Sequence, residues 1–134
     1  MAFLTDLTED CMGIIHVGRG VVTGGEILEG CKSDRALVQV TANFHYKLVD
    51  LSAVTELRIT EKELKEIVEE DREIATFRPH AAVVVVAPND RIRAIARHWE
   101  ILVEELGWST HISRTRAEAS KWLIENAAAA PLEG

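Results

Sequence analysis

The amino-acid sequence predicts an α/β fold: one domain with a mixed, largely parallel sheet of about four to five strands flanked by about four helices. Strand patterns alternate with amphipathic helix patterns, and such connections place neighbouring strands parallel. The run 81–87 is apolar without alternation, as in a strand covered on both faces. A length of 134 residues is that of one ordinary domain.

Residues 1–11 are predicted to be an N-terminal arm or an edge strand. Residues 13–22 follow as a strand rich in Ile and Val, with two glycines that indicate a turn or bulge. Thr23 and Glu26 have the spacing of a capping box, in which each side chain bonds the backbone of the other residue. A helix is therefore expected from there to about residue 33.

The middle of the chain is predicted to contain two more strands. Residues 36–41 have the apolar and β-branched character of a strand, and Asn43 and Phe44 are interpreted as a turn. The strand 46–51 follows. A short connector over 52–59 then leads into a long charged helix.

Thr60 and Glu63 form a second predicted capping box. The amphipathic helix that they begin should end near Phe77, because Pro79 disfavours helical backbone before it. The strand 81–87 comes next and should lie at the centre of the sheet.

Asn89 or Asp90 is the predicted N-cap of the following helix. Its apolar residues fall on one arc as far as Leu106. Gly107 is expected to end it in the left-handed backbone conformation.

A short strand over 108–113 and a last helix complete the predicted domain, which spans 12–126. Thr115 and Glu118 provide a third capping box for that helix. Residues 127–134, which are rich in alanine, are expected to be a flexible tail or an extension of the last helix.

The composition limits the classes of partner. A formal net charge of −7 argues against nucleic acid or an anionic membrane surface, because both attract basic proteins. No apolar run approaches the roughly 18 residues of a transmembrane helix. Cys11 and Cys31 do not have the spacing of a zinc site and are too few for a disulfide framework. A cytoplasmic protein is therefore expected.

No group of residues predicts catalysis, metal binding or a cofactor. The five histidines lack the close spacing of a metal-ligand pair. Gly18 and Gly20 begin a near match to the dinucleotide-binding pattern GxGxxG, which lacks its third glycine. A further hypothesis is an enzyme with an unrecognised site, which a deep pocket with converging His45, His80 or His111 would favour.

Three arginines, Arg91, Arg93 and Arg97, lie in the first two turns of a predicted helix. Cations there are disfavoured by the helix dipole by about 0.3–1 kcal/mol each. Glu100 and Glu104 continue the row, so one interpretation is a neutralised surface row. The other is a patch for an anion or an acidic partner, because a helix N-terminus with arginines binds carboxylate or phosphate.

Three segments resemble a known family. The segment Asp50-Leu51-Ser52-Ala53-Val54 after an apolar strand resembles the STAS domain of sporulation anti-sigma-factor antagonists. The segments Ala96-Arg97-His98-Trp99-Glu100 and Glu118-Ala119-Ser120-Lys121-Trp122-Leu123 are similar to those of the SpoIIAA-like group. The resemblance covers about residues 14–125 and rests mainly on structural motifs.

This resemblance implies a STAS-like domain that acts as a binding module rather than an enzyme. Members of the family carry an acceptor serine at the start of the helix after the Asp-Leu-Ser strand, and that position falls on Ile59 here. Thr60 is next, either as the helix N-cap or as a phosphorylation site. The SpoIIAA-like group is also distantly similar to CRAL-TRIO lipid-binding domains.

The leading hypothesis is a non-enzymatic binding or regulatory module for an unknown protein partner or a small anionic ligand. It would use the loop 52–60 and the helix start at 89–97. The second hypothesis is a carrier or sensor of a small lipid-like or anionic ligand in a cleft between helices and sheet. A homodimer is a separate hypothesis, for which the arm 1–11 is the candidate contact. The candidate binding residues are Ser52, Arg58, Thr60, Asn89, Asp90, Arg93 and Arg97.

Overall fold

The computed structural model describes residues 2–8, 10, 12–40 and 44–127. In chain order the elements are β1 (Phe3–Leu7), β2 (Gly13–Thr23), α1 (Gly24–Val40), β3 (Tyr46–Arg58), α2 (Glu61–Phe77), β4 (Ala82–Val86), α3 (Asp90–Leu102), a 3₁₀ turn (Glu104–Leu106), β5 (Ser109–Ser113) and α4 (Arg116–Asn126). The predicted α/β fold class is confirmed, with five strands and four α-helices in the described part of the chain.

The five strands form one sheet in the order β1-β2-β3-β4-β5. β1 is an edge strand antiparallel to β2, and the other neighbouring pairs are parallel. Right-handed crossovers that all step in one direction place their helices on one face of a sheet. Accordingly, α1, α2 and α3 pack on one face, and α4, which follows the last strand, packs on the other.

β4 separates two apolar layers. Val83 and Val85 face the layer under α1, α2 and α3, whereas Val84 and Val86 face the layer under α4. All residues of β4 are buried, and the strand lies between β3 and β5. The predicted two-sided burial of this strand is confirmed, but its predicted place at the centre of the sheet is wrong, because the central strand is β3.

The predicted strand at 36–41 is wrong. Helix α1 continues to Val40, and residues 41–43, with the predicted turn residue Asn43, lie outside the described residues. Cys31, Asp34 and Val38 are all buried, a spacing of three and four residues that places them on one helical face. Packing of that face against the sheet and α2 outweighs the strand preference of the Val residues.

The predicted connector at 52–59 is also wrong in most of its length. Strand β3 continues to Arg58, because β2 provides a partner as far as the pair Thr23–Arg58. The register between β2 and β3 shifts twice near Gly20, whose φ of 65° is left-handed. Ser52 and Arg58 therefore lie on a strand rather than in a loop.

The helix caps follow the sequence closely. Thr23 with Glu26 and Thr60 with Glu63 form reciprocal capping boxes, and Asn89 accepts from two backbone N–H groups of α3. The third predicted box is half formed: the side chain of Thr115 accepts from the Glu118 backbone, and the Glu118 carboxylate accepts from the residue before Thr115.

Helix α3 is shorter than predicted and ends at Leu102, where a 3₁₀ turn begins. Gly107 follows with a φ of 83°, which confirms the left-handed stop. Of the predicted tail, Ala127 is buried against the α4 layer, and 128–134 lie outside the described residues.

Candidate functional site

The predicted site residues lie in the segments that follow the paired part of β3 and the end of β4. Strands β3 and β4 are parallel, so the segments that follow them emerge at the same edge, the one at which open α/β sheets bind ligands. Asp50 is the last residue of β3 that pairs with β4. Strand β3 then continues past Ser52 and ends at Arg58. We call the following set the carboxyl-edge surface: Ser52, Arg58, Thr60, Asn89, Asp90, Arg93 and Arg97.

Asp50 connects this edge to α4. The Ser52 hydroxyl donates to Asp50 Oδ1 at 2.6 Å, and Arg116 donates to Asp50 Oδ2 at 3.0 Å. Burial raises the pKa of Asp50, but the hydrogen bonds from Ser52 and Arg116 outweigh it and leave the pKa below its usual value. Ser52 is exposed and is held in place by this carboxylate.

Arg58 and Thr60 both have local partners. Arg58 Nε donates to the Glu56 carboxylate at 2.9 Å, and both side chains are exposed. The Thr60 hydroxyl accepts from the Glu63 backbone at 3.1 Å, so the structure assigns the N-cap role to this residue. Ile59, which precedes it, is partly buried against the core.

The arginines of α3 differ in environment. Arg93 Nε donates a hydrogen bond to the carbonyl oxygen of Ala87, the residue just after β4, at 3.2 Å. Arg97 is 61% exposed and approaches Glu100 only to 4.0 Å. Arg91 is exposed at the first turn of the helix. Arg93 thus has a structural partner, and Arg91 and Arg97 project to solvent.

A second group of polar residues lies inside the protein, between the sheet and the helices α1, α2 and α3. We call His16, Asp34, Lys47, Asp71 and Trp99 the buried cluster. Asp34 Oδ2 accepts from Lys47 Nζ at 2.9 Å and lies 2.8 Å from His16 Nε2. Trp99 Nε1 donates to Asp71 Oδ2 at 2.8 Å. Each of the five side chains comes from a different element, namely β2, α1, β3, α2 and α3.

The protonation of His16 follows from its two contacts. Burial lowers the pKa of His16 although Asp34 opposes the shift, so the ring is neutral at pH 7. A neutral ring has one N–H, and an ionised Asp34 can only accept, so Nε2 donates to Asp34. Nδ1 is then the acceptor for the Thr5 hydroxyl at 2.7 Å. Phe3 stacks on the ring with centroids 4.9 Å apart.

The two carboxylates of the cluster have opposite pKa shifts. Burial alone would raise the pKa of Asp34, but Lys47 and His16 outweigh it and hold the pKa below the usual range. Burial raises the pKa of Asp71 to about 6, in spite of Lys47 and Trp99. Burial lowers the pKa of Lys47, but Asp34 outweighs this effect and raises the pKa above its usual value. Lys47 and Asp34 therefore form a charged pair at pH 7.

A cavity of about 80 Å³ leads away from the buried cluster. His16, Lys47, Asp71 and Trp99 line one end, and apolar side chains line the rest. Partly exposed wall residues lie near the starts of the helices, which indicates that the cavity opens at the carboxyl edge; they include Ile27, Leu57, Ile59 and Ile95.

Sequence reasoning missed the buried cluster, although two signals for it were present. Asp71 lies among Ile67, Val68 and Ile74 in the apolar stripe of α2, where a carboxylate is unexpected. Lys47 and Val49 are two residues apart in β3, so their side chains point to the same face of the sheet. Val49 lines the cavity, and Lys47 therefore also points inward. Asp34 lay in the mispredicted part of α1, so its inward position had no sequence signal.

The three histidines proposed for an enzyme site do not meet in this cavity. His80 and His111 are exposed, and His111 stacks on Trp122 on the opposite face of the sheet. His45 does not line the cavity. Within the described ranges, no three His, Cys, Asp or Glu side chains are grouped as metal ligands. No helix among these same residues has the length and apolar character needed to cross a membrane.

Solved structures share this architecture. The anti-sigma factor antagonist SpoIIAA in its unphosphorylated form matches with a TM-score of 0.59 and 9% identity, over 91% of this chain and 97% of that one. This chain has the SpoIIAA-like fold. The phosphorylated form of the Bacillus cell fate determinant SpoIIAA matches with a TM-score of 0.54 and 10% identity, over 91% and 99% of the two chains.

A third structure extends the SpoIIAA-like comparison. An uncharacterized DUF3478 protein of Shewanella loihica PV-4 with a SpoIIAA-like fold matches with a TM-score of 0.51 and 12% identity, over 91% of this chain and 92% of that chain. No protein-family model and no curated protein sequence matches the chain. The STAS-like and SpoIIAA-like resemblance is confirmed at the level of fold, and the similarity to CRAL-TRIO domains stays a prediction.

Proposed function

We propose that this chain is a non-enzymatic regulatory module of the cytoplasm that binds a protein partner through its carboxyl-edge surface. The proposal is supported by exposed polar side chains of β3, α2 and α3 in the segments that follow the paired part of β3 and the end of β4. Hydrogen bonds to Asp50 and Ala87 hold Ser52 and Arg93 in place, so part of this surface is organised before binding.

The relatives support a regulatory role. SpoIIAA is an anti-sigma factor antagonist, and a phosphorylated form of it is known. In this chain the acceptor position implied by the resemblance falls on Ile59, which cannot be phosphorylated. The hydroxyl of Thr60 already caps α2. We therefore propose that partner binding here does not depend on phosphorylation at this helix start.

The charges at the edge favour a partner with acidic side chains. Arg91 and Arg97 project to solvent from the first turns of α3, where the backbone N–H groups and the helix dipole also favour anions. Asp90 is exposed beside them and limits how much negative charge the surface accepts. The overall charge of −7 argues against a nucleic-acid backbone as the partner.

The test compares two variants that each remove two surface cations. Arg91→Ala/Arg97→Ala alters Arg97 of the carboxyl-edge surface and the neighbouring Arg91, and Lys65→Ala/Arg72→Ala alters the outer face of α2 beyond its first turn. A partner captured from the host cell and purified should bind the wild type and the α2 variant equally in isothermal titration. It should bind the edge variant about tenfold more weakly, as expected when arginines lie at an interface.

Two results would contradict the proposal. One is equal affinity of the purified partner for both variants, which would place the interface elsewhere. The other is the absence of a stoichiometric protein partner in native mass spectrometry of the chain isolated from its host.

A further inference from the structure

The buried cluster contains acceptor atoms that no described residue satisfies. Asp71 Oδ1 and Asp34 Oδ1 are buried and accept no hydrogen bond. Asp71 is 1% exposed and lines the cavity, so its orphan oxygen belongs to the cavity's polar end. A buried acceptor without a donor costs about 1–3 kcal/mol in ordinary proteins, so such a site calls for a donor.

The orphan oxygen faces a cation that is too far away to satisfy it. Lys47 Nζ lies 3.8 Å from Asp71 Oδ1, which is beyond hydrogen-bond distance, while it lies 2.9 Å from Asp34 Oδ2. A group that both accepts from the ammonium and donates to the carboxylate can join these two atoms. A hydroxyl does both with a single oxygen.

Charged head groups fit this end less well. A carboxylate would accept from Lys47 but would be repelled by the Asp71 carboxylate, whose residue lines the cavity. An ammonium would donate to Asp71 but would meet the Lys47 ammonium. A neutral hydroxyl avoids both repulsions, which are strong in a site shielded from water.

The other walls select an apolar body. The cavity measures about 80 Å³, which is smaller than the roughly 150 Å³ that holds benzene, so it takes a head group and a few carbon atoms. Leu64, Ile67 and Val85 are among its apolar walls. A longer chain can leave between Ile59 and Ile95, the partly exposed walls at the carboxyl edge.

We propose that this cavity binds a small neutral amphiphile whose hydroxyl bridges Lys47 and Asp71 and whose apolar chain points to the carboxyl edge. The ligand class is an aliphatic alcohol or a longer molecule that ends in one. This inference goes beyond the proposed function and does not depend on it, because neither Arg91 nor Arg97 lines the cavity.

The test uses three probes of equal chain length: 1-hexanol, hexanoate and hexylammonium. The reporter is the indole N–H of Trp99 in a ¹⁵N–¹H correlation spectrum, because this group bonds to Asp71 at the polar end. 1-Hexanol should shift the Trp99 signal saturably and leave the indole signals of Trp108 and Trp122 in place. The two charged probes should bind at least tenfold more weakly.

A pair of variants on α3 tests whether 1-hexanol binds in the cavity. Ala96 lines the cavity and is buried, whereas Ala94 is exposed on the same helix. Ala96→Leu should fill the cavity and abolish the 1-hexanol shift, and Ala94→Leu should bind like the wild type. A well-dispersed spectrum of Ala96→Leu shows that it folds, and the comparison of probes on the wild type stands without it.

Three results overturn the inference. They are the absence of a saturable Trp99 shift with 1-hexanol, binding of hexanoate or hexylammonium as tight as that of 1-hexanol, and undiminished 1-hexanol binding by a folded Ala96→Leu protein. The first would mean that water alone occupies the polar end, and the second that the head group is charged.

Discussion

The ammonium of Lys47 lies 2.9 Å from Asp34 Oδ2, and both side chains are almost fully buried. Lys47→Met keeps a similar side-chain length but leaves the Asp34 carboxylate buried without its cation. Removing one partner of a buried ion pair costs about 3–5 kcal/mol. We expect the free energy of unfolding, measured with urea, to fall by about this amount.

The matched control is Arg58→Met, which removes an exposed cation paired with Glu56 and should change stability by less than about 1 kcal/mol. The double variant Lys47→Met/Asp34→Asn should recover part of the loss, because its second change removes the orphan charge. Equal losses for Lys47→Met and Arg58→Met would contradict the buried-pair explanation.

The carboxyl group of Asp71 should make stability depend on pH in an unusual direction. Burial raises its folded pKa to about 6, with Asp34 and Glu70 adding to the shift and Lys47 and Trp99 opposing it. Between the unfolded pKa near 4 and the folded value, the folded state binds more protons, so this group's contribution to stability falls as pH rises. The free energy of unfolding of Asp71→Asn, relative to that of wild type, should therefore rise by about 2–3 kcal/mol from pH 4 to pH 7. Urea unfolding of both proteins at each pH measures this difference.

Asp50→Asn is a control of opposite sign. Its carboxyl pKa lies below the usual value, because hydrogen bonds from Ser52 and Arg116 outweigh the effect of burial. The contribution of the Asp50 carboxylate to stability is fully present above the unfolded pKa, and it is lost as the pH falls through the folded pKa. This variant should therefore lose stability relative to wild type most at neutral pH. A pH-independent difference between Asp71→Asn and wild type would show that the pKa of Asp71 is the same in the folded and unfolded states, which contradicts the prediction.

Substitution of alanine for two glycines should change the stability of the protein in opposite directions. Gly107 has a φ of 83°, in which an alanine costs about 1–2 kcal/mol, so Gly107→Ala should destabilise the protein. Gly25 lies in the first turn of α1, where an added Cβ meets only Thr23 Oγ1 at 3.9 Å. Gly25→Ala should stabilise by about 0.4–1 kcal/mol in thermal unfolding. Shifts of the same sign for both would contradict these backbone assignments.

Much of the fold could be predicted because its signals are local. The capping residues Thr23, Thr60 and Asn89 bond to backbone groups two or three residues away. The unbroken apolar run of β4 predicts its burial on both faces. The end of α1 could not be predicted, because Val38 has a local strand preference that only packing against the sheet and α2 overrides.

The buried cluster escaped sequence reasoning for a different reason. Asp34 and Lys47 are apart in the chain, and their contact depends on the position of α1 over β3 and on the register of that strand. Only two members gave a signal: Asp71 as a polar residue in an apolar stripe, and Lys47 through its inward strand position. Single polar positions of this kind show their meaning only when the neighbouring elements are in place.

The strand order also has a consequence for how the chain can fold during synthesis. Each strand pairs with the one that precedes it, so no strand has to be inserted between two strands that are already paired. As the chain leaves the ribosome, the sheet can grow at one edge, one strand and one crossover helix at a time. Such sequential assembly keeps loop closure short and limits the time that an unpaired edge is open to aggregation.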